Sequence, residues 1–299
     1  MNRSACLIYN PVAGQGDSET DLQRIRELLE PEIDLDIRLT TKEVDADQLA
    51  RTVVKEGAST LIVSGGDGTL SAAASALVRT CIPLGVIPRG TANAFARALG
   101  IPVTLEAACQ TILNGCTRVV DAARCNGKPM MLLAGMGLGA KMVEDAERSA
   151  KNRFGTLAYI LGGVKQLWQM EFFEVRIETE DKVVTVKAAA VTVANAAPPT
   201  SILAQGPAGV IVDDGMLDIT IVAPANAVAA IRAGFHLLKT ARRGIAVERS
   251  DIGYLRSRFV KVTTEPPQKV ALDGELIGTT PVEIECIPES LTILVPKLS

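Results

Sequence analysis

Ser64-Gly65-Gly66-Asp67-Gly68-Thr69 follows the apolar run Thr60-Leu61-Ile62-Val63 and precedes a helical pattern that starts near Leu70. A glycine-rich turn between a buried strand and a helix aims backbone N–H groups and a helix N-terminus at one spot, which suits an anion. Glycine lets the backbone approach a phosphate closely, because no Cβ intervenes. Asp67 would repel a phosphate, so it reads as a group that orients a loop, a water or Mg²⁺. Thr69 can donate its hydroxyl or cap the helix. Gly-Asp-Gly is also a common tight turn, and the buried strand before it favours the phosphate reading. Two further loops share the design. Leu84 to Ile87 leads into Pro88-Arg89-Gly90-Thr91 and a helix opening at Ala92-Asn93. The strand Ala5 to Tyr9 leads into Asn10-Pro11-Val12-Ala13-Gly14-Gln15-Gly16. In an open α/β sheet, ligands bind where such loops gather at the carboxyl ends of the strands, so the three loops predict a nucleotide site. GxxxxGK[ST] is absent, and so is GxGxxG after the first strand. Gly135-Met136-Gly137-Leu138-Gly139 lacks the dinucleotide spacing and reads as a tight bend.

A second acidic group stands far down the chain. Asp273-Gly274-Glu275 follows the apolar Val270 to Leu272, and Asp-Gly on its own is a good hairpin turn. His236 is the single histidine, which nearly excludes a His-based triad or a multi-His metal site. Acid–base chemistry therefore falls to carboxylates or lysine.

The elements that must carry these residues show in the periodicity. Helical spacing marks Ser18 to Glu30, Ala46 to Lys55 (stopped by Gly57), Leu70 to Arg79 and Ala92 to Leu99. Between them lie short apolar strands, which imply a parallel sheet covered on both faces. The character changes near Asp121. Strand patterns then dominate at Glu174–Glu178, Val183–Ala194, Leu217–Val222, Arg258–Thr264, Val270–Leu272 and Leu291–Val295. Helical stretches at Thr156–Gln169 and Asn226–Thr240 interrupt them. The second domain therefore reads as a β-sandwich with helical insertions.

Composition excludes other classes. The 299 residues are 47% hydrophobic and 22% charged, with 3% aromatics and a net charge of -3. That supports a sizeable core and argues against nucleic acid as a partner. Six scattered cysteines without a CxxC pair suit a reducing, cytosolic compartment. No signal peptide is visible. No uncharged apolar run reaches the roughly 18 residues a membrane helix needs.

Asn10-Pro11-x-x-Gly14, Gly65-Gly66-Asp67-Gly68-Thr69, Gly90-Thr91-x-Asn93 and Leu272-Asp273-Gly274-Glu275 occur in that order. Together they resemble the diacylglycerol kinase catalytic-domain superfamily, especially the soluble bacterial lipid kinases, whose core sphingosine and ceramide kinases share. The resemblance covers essentially the whole chain. It implies an N-terminal three-layer α/β domain and a C-terminal β-sandwich, with the nucleotide in the interdomain cleft. The chain's end returns to the first domain in this family. The expected domains are thus 1–121 with 289–299, and 122–288.

By motif, the resemblance implies ATP contacts from Asn10, Pro11, Val12, Ala13, Gly14, Thr40, Gly65, Gly66, Asp67, Gly68, Thr69, Leu70, Ser71, Ala72, Gly90, Thr91 and Asn93. Thr40 is placed by Thr40-x-x-x-x-Asp45-Ala46, and Thr41 is its alternative. Glu275 stands in the family position of the proton acceptor. Asp273 is the close second, or it joins Asp67 near the Mg²⁺ that accompanies ATP. A separate structural Mg²⁺ is implied at Asp214 with the carbonyls of Ile211 and Met216; oxygen-only ligation suits that ion.

The implied activity is transfer of the γ-phosphate of ATP to a lipid hydroxyl, most simply that of diacylglycerol. Ala94 stands where many diacylglycerol kinases have Asp, and Ser71-Ala72 where many members have Asn-Glu. A sphingoid base is therefore an alternative acceptor. An NAD kinase-like enzyme and a catalytically silent nucleotide or lipid sensor are the other readings. A lipid acceptor requires the protein to visit the membrane from the cytoplasm. Lys141, Arg148, Lys151 and Arg153, and Lys239, Arg242 and Arg243 beside Phe235, Leu237 and Leu238, are the candidate contacts. Exposed edge strands offer a route to a homodimer.

Overall fold

A computed structural model describes residues 3–14, 16–150, 171–199, 201, 204, 209–224 and 251–297. The chain divides into two compact units. The first comprises Met1–Ala122, Val212–Gly215 and Ile287–Ser299, and the second Ala123–Ile211 and Met216–Cys286. Val212–Gly215, which the sequence pattern assigns to the second domain, thus belongs to the first unit.

The first unit begins β1 (Arg3–Tyr9), α1 (Ser18–Leu29), β2 (Ile33–Leu39), α2 (Ala46–Lys55), β3 (Leu61–Gly65), α3 (Asp67–Leu77), β4 (Leu84–Pro88), α4 (Ala94–Ala98) and α5 (Leu105–Asn114). β5 (Cys116–Cys125) follows, its last three residues belonging to the second unit. The strands run parallel in the order β2-β1-β3-β4, and Ile293 near the chain's end pairs in parallel with Leu84 of β4. β3 and β4 are buried along their whole length, as strands covered on both faces must be. On one face Leu7, Tyr9, Ile62 and Ile87 pack against Ile25 and Leu29 of α1 and Ala108, Cys109 and Ile112 of α5. α2 and α3 pack together, and α2 also meets β1. Each fully buried Leu or Ile contributes about 1.5–3 kcal/mol relative to exposure. α2 starts where Asp45 and Gln48 close a capping box, which satisfies two otherwise orphaned N–H groups.

The second unit contains β6 (Lys128–Met130), β7 (Leu133–Gly137), α6 (Leu138–Ala150), β8 (Phe173–Thr179), β9 (Val183–Ala188), β10 (Ala190–Ala194), β11 (Leu217–Val222), β12 (Ile252–Ser257), β13 (Phe259–Glu265), β14 (Lys269–Leu272) and β15 (Glu275–Thr279). β16 (Val282–Val295) begins here and ends in the first unit. One antiparallel sheet runs β12-β11-β10-β7-β14-β15. In the other, β13 is flanked by β8 and by Val282–Glu285 of β16, and β9 lies outside β8. Phe173, Val175, Ile177, Val260 and Ile284 from the second sheet share one core with Met136, Val191, Val193, Ile219 and Val270 from the first. That interleaving makes the unit a β-sandwich.

Two local expectations change. Val183–Ala194 is two strands, β9 and β10, which sit in different sheets and break at Ala189. Gly135-Met136-Gly137 ends β7 and Leu138 opens α6, so the glycine cluster is a strand-to-helix junction and not a bend alone. The expected helices at 156–169 and 226–240 lie outside the described residues, with Lys151, Arg153, Lys239, Arg242, Arg243 and His236.

Candidate functional site

The three glycine loops emerge from the carboxyl ends of β1, β3 and β4, three adjacent strands of the first unit. α3 starts three residues earlier than its apolar pattern implies. Gly66 is its N-cap with no side-chain cap, so Asp67, Gly68 and Thr69 form its first turn. The backbone N–H groups of that turn have no intrahelical acceptor.

The loops are fastened to one another. Asn10 donates from Nδ2 to Thr69 Oγ1 at 2.8 Å, and its Oδ1 accepts from Val12 N at 3.1 Å. Asp67 Oδ1 accepts from Phe95 N at 2.9 Å, tying α3 to the start of α4. Asp67 thereby joins the second loop to the third. A Cβ added at Gly90 would lie 2.9 Å from Gly66 Cα and 3.0 Å from Asn93 Oδ1. The second and third loops therefore cross at a contact only glycine permits. Asn93 sits in the left-handed region at φ 49 and is 8% exposed. Asn93 Oδ1 and Ser71 Oγ are buried with no hydrogen-bond partner. A buried polar atom left unsatisfied costs about 1–3 kcal/mol, so these are groups for a ligand to engage.

Thr40 follows β2, and its N–H donates to Tyr9 O at 3.0 Å. Thr41 Oγ1 accepts from Glu43 N and Val44 N. Thr41 thus closes a local turn. Pro11, Val12, Ala13 and Gly14 lie between Asn10 and α1, with Val12 89% exposed. The Leu70 side chain is fully buried. Thr91 is exposed, and Ala72 is half-buried.

Asp273 and Glu275 belong to the second unit. Asp273 and Gly274, at φ 48 and 94, form the two-residue turn between β14 and β15, with Leu272 paired to Glu275. These signs of φ are those of a type I′ hairpin, which Asp-Gly favours. The Asp273 carboxylate accepts three backbone bonds, from Met131 N at 2.7 Å and from Leu132 N and Leu133 N at 2.9 Å each. Both oxygens are thereby engaged in holding residues 131–133. In this structure Asp273 thus positions the segment that leads into β7. Glu275 is exposed at the start of β15, and its carboxylate has no ion pair or hydrogen bond among the described residues.

The implied metal segment is built around a residue that no motif singled out. Asp121 is 3% exposed. Its Oδ2 accepts from Gly215 N at 2.7 Å and its Oδ1 from Glu289 N at 2.8 Å, while its own N donates to Val212 O at 2.7 Å. Asp213 is taken by Arg118, at 2.7 and 2.9 Å. Asp214 is half-buried in the turn so fixed. Ile211 and Met216 flank that turn and belong to the second unit. Among the described residues no cluster of three or more His, Cys, Asp or Glu is placed to hold a metal. The expected set has a different chemistry, one carboxylate and two carbonyls, all hard oxygen donors that fit Mg²⁺.

Residues 4–125 match the diacylglycerol kinase catalytic domain, and residues 133–295 match the YegS C-terminal NAD kinase β-sandwich-like domain. A diacylglycerol kinase of Bacillus subtilis is 31% identical, over 99% of this chain and 97% of its own. The chain belongs to the diacylglycerol kinase family. Membership makes it a kinase, a phosphotransferase. An uncharacterized protein of Synechocystis is 49% identical over 97% of this family member and 70% of its own length. The crystal structure of a diacylglycerol kinase from Bacillus anthracis superposes with a TM-score of 0.77 at 26% identity, covering 99% of this chain and 97% of that one. Sequence reading missed Arg89, Asp21 and Asp121, whose partners come from distant parts of the chain. A charged residue between a buried strand and a glycine was the available signal for Arg89.

Proposed function

We propose that this kinase transfers the γ-phosphate of ATP to the hydroxyl of a membrane lipid, diacylglycerol or a close relative. The observation that carries the reading is the crossing of the Gly66 and Gly90 loops over the uncapped first turn of α3, with Ser71 Oγ and Asn93 Oδ1 unsatisfied beside it. That cradle suits the phosphates of a nucleotide. Phosphoryl transfer rests mainly on positioning and charge neutralisation, and the α3 dipole supplies part of the latter. Asp67 keeps its Oδ2 for Mg²⁺ accompanying the nucleotide, and Asp214 with the carbonyls of Ile211 and Met216 would hold the structural ion. Bound there, Mg²⁺ would neutralise phosphate charge or stiffen the Asp214 turn. Glu275, uncommitted and exposed, takes the proton of the lipid hydroxyl.

The protein works as a peripheral visitor to the bilayer. Among the described residues no helix is long and apolar enough to cross a membrane. Ala94, at the first position of α4, supports a sphingoid base as the second acceptor class.

The test is transfer of label from γ-labelled ATP to vesicles carrying diacylglycerol, a sphingoid base or ceramide, with NAD as a soluble acceptor. Labelled phosphatidic acid is the expected product. Glu275→Gln should lower the turnover rate by about 100- to 10,000-fold, the usual contribution of a general base, and leave ATP binding intact. Label appearing only in NAD, or in no acceptor, would overturn the reading; full activity of Glu275→Gln would remove the base assignment.

A further inference from the structure

Arg89 is a buried charge that the motifs did not mark. Its side chain is 5% exposed and stands 2.9 Å from Asp21 of α1. Nε donates to Asp21 Oδ2 at 2.9 Å, and Nη1 donates to the carbonyl of Asn10 at 3.0 Å. The guanidinium carbon lies 4.6 Å from the centre of the Tyr9 ring, within the range of a cation–π contact. The backbone N of Arg89 donates to Gly65 O at 2.7 Å. A Cβ on Gly14 would stand 3.3 Å from Arg89 O and 3.4 Å from Nη2.

These partners are not scattered over the surface. Asn10 is the first residue of the first glycine loop, and its side chain already grips Thr69 in the first turn of α3. Gly65 ends β3 just before the second loop. Arg89 itself begins the third. Arg89 therefore touches all three loops: its guanidinium holds the first, its backbone N–H meets Gly65 before the second, and it opens the third itself. The guanidinium pairs with Asp21 at 2.9 Å, and its Nη2 is buried without a hydrogen bond of its own. Its rigid fork reaches a carboxylate and a carbonyl at once, a geometry that a lysine ammonium does not reproduce.

We infer that Arg89 is a positioning residue for the nucleotide: it holds the Asn10–Gly14 loop at the distance from α3 that ATP phosphates require. The inference rests on the nucleotide reading of this site.

ATP binding by the purified full-length protein, followed calorimetrically, tests it together with steady-state kinetics on diacylglycerol vesicles and thermal unfolding. Arg89→Gln and Arg89→Lys should each weaken ATP binding about tenfold, or about 1.4 kcal/mol. The KM for ATP should rise in parallel, while kcat and the KM for lipid stay within about twofold of wild type. Asp21→Asn keeps the arginine but loosens its hold, and should weaken ATP binding about threefold. Wild-type ATP affinity in Arg89→Gln would overturn the inference, and so would full rescue by lysine, which would show charge alone to suffice. If neither Arg89 variant folds, unchanged ATP affinity in Asp21→Asn overturns it. A wild-type protein that binds no ATP would overturn the nucleotide reading beneath it.

Discussion

Asp273 accepts three backbone N–H bonds from residues 131–133, whereas Glu275, two residues on, accepts none among the described residues. The family resemblance implies related roles for the two. The hairpin separates them, because the turn points Asp273 at the start of β7 and leaves Glu275 on the exposed first position of β15. A carboxylate bonded by three N–H groups is a structural fixture, since hydrogen bonds to a charged group are worth about 1.5–3 kcal/mol each. Asn tolerates the left-handed backbone at φ 48. Asp273→Asn therefore isolates the charge and one acceptor from the turn geometry. We expect it to lose about 1.5–3 kcal/mol of stability in urea unfolding while ATP affinity stays the same. Stability within about 0.5 kcal/mol of wild type, the ordinary scatter of a surface substitution, would show that the three bonds are dispensable.

The elements that build the nucleotide cradle meet at Gly66 and Gly90. With 2.9 Å between an added Gly90 Cβ and Gly66 Cα, backbone must move, since neither partner is a flexible side-chain end. Gly90→Ala should weaken ATP binding at least tenfold, or about 1.4 kcal/mol. Gly57→Ala is the control. Gly57 has φ +76 and nothing within 4 Å of the added Cβ, so strain there should cost stability and leave ATP binding unchanged. Equal ATP affinities in the two variants would refute the crossing as a binding determinant. Much of this framework is legible in the sequence, because β1, β3 and β4 are apolar runs and α2 is bracketed by Asp45 and Gly57. The start of α3 is not, since Asp67-Gly68 reads as a turn even though it lies inside the helix. Nor is the break at Ala189, where no Gly or Pro marks the passage from β9 to β10. Arg89 is illegible for another reason. Its partners Asp21 and Asn10 lie 68 and 79 residues away, and no local pattern records such contacts.

Across the whole molecule, the six cysteines are free thiols in unequal settings. Cys6, Cys109 and Cys125 are buried, Cys286 is partly buried, and Cys81 and Cys116 are exposed. Burial pushes Cys6 from the usual 9.0 up to about 12, with Asp36 adding to the effect. Burial likewise raises Cys109 to about 12, with Glu106 adding, and Cys125 to about 11 despite Lys128. The sign of the linkage follows. Below pH 9 these thiols are neutral in both the folded and unfolded states, so folding loses nothing. Above pH 9 the unfolded chain releases their protons and the folded chain does not. The fold therefore loses stability as pH rises from about 9 to about 12. Cys6 and Cys109 report on the first unit and Cys125 on the second. At pH 8 an aromatic disulfide reagent should modify Cys81 and Cys116 rapidly, because the thiolate is the reactive form and access governs the rest. Cys6, Cys109 and Cys125 should react only once urea unfolds the chain. The urea midpoint should fall more steeply between pH 8.5 and 10.5 in the wild type than in a Cys6→Ala, Cys109→Ala variant, from which two of the shifted groups have been removed. Equal pH slopes in the two proteins would refute the linkage. Native-state modification of Cys6 and Cys109 at the rate of Cys81 would refute their burial.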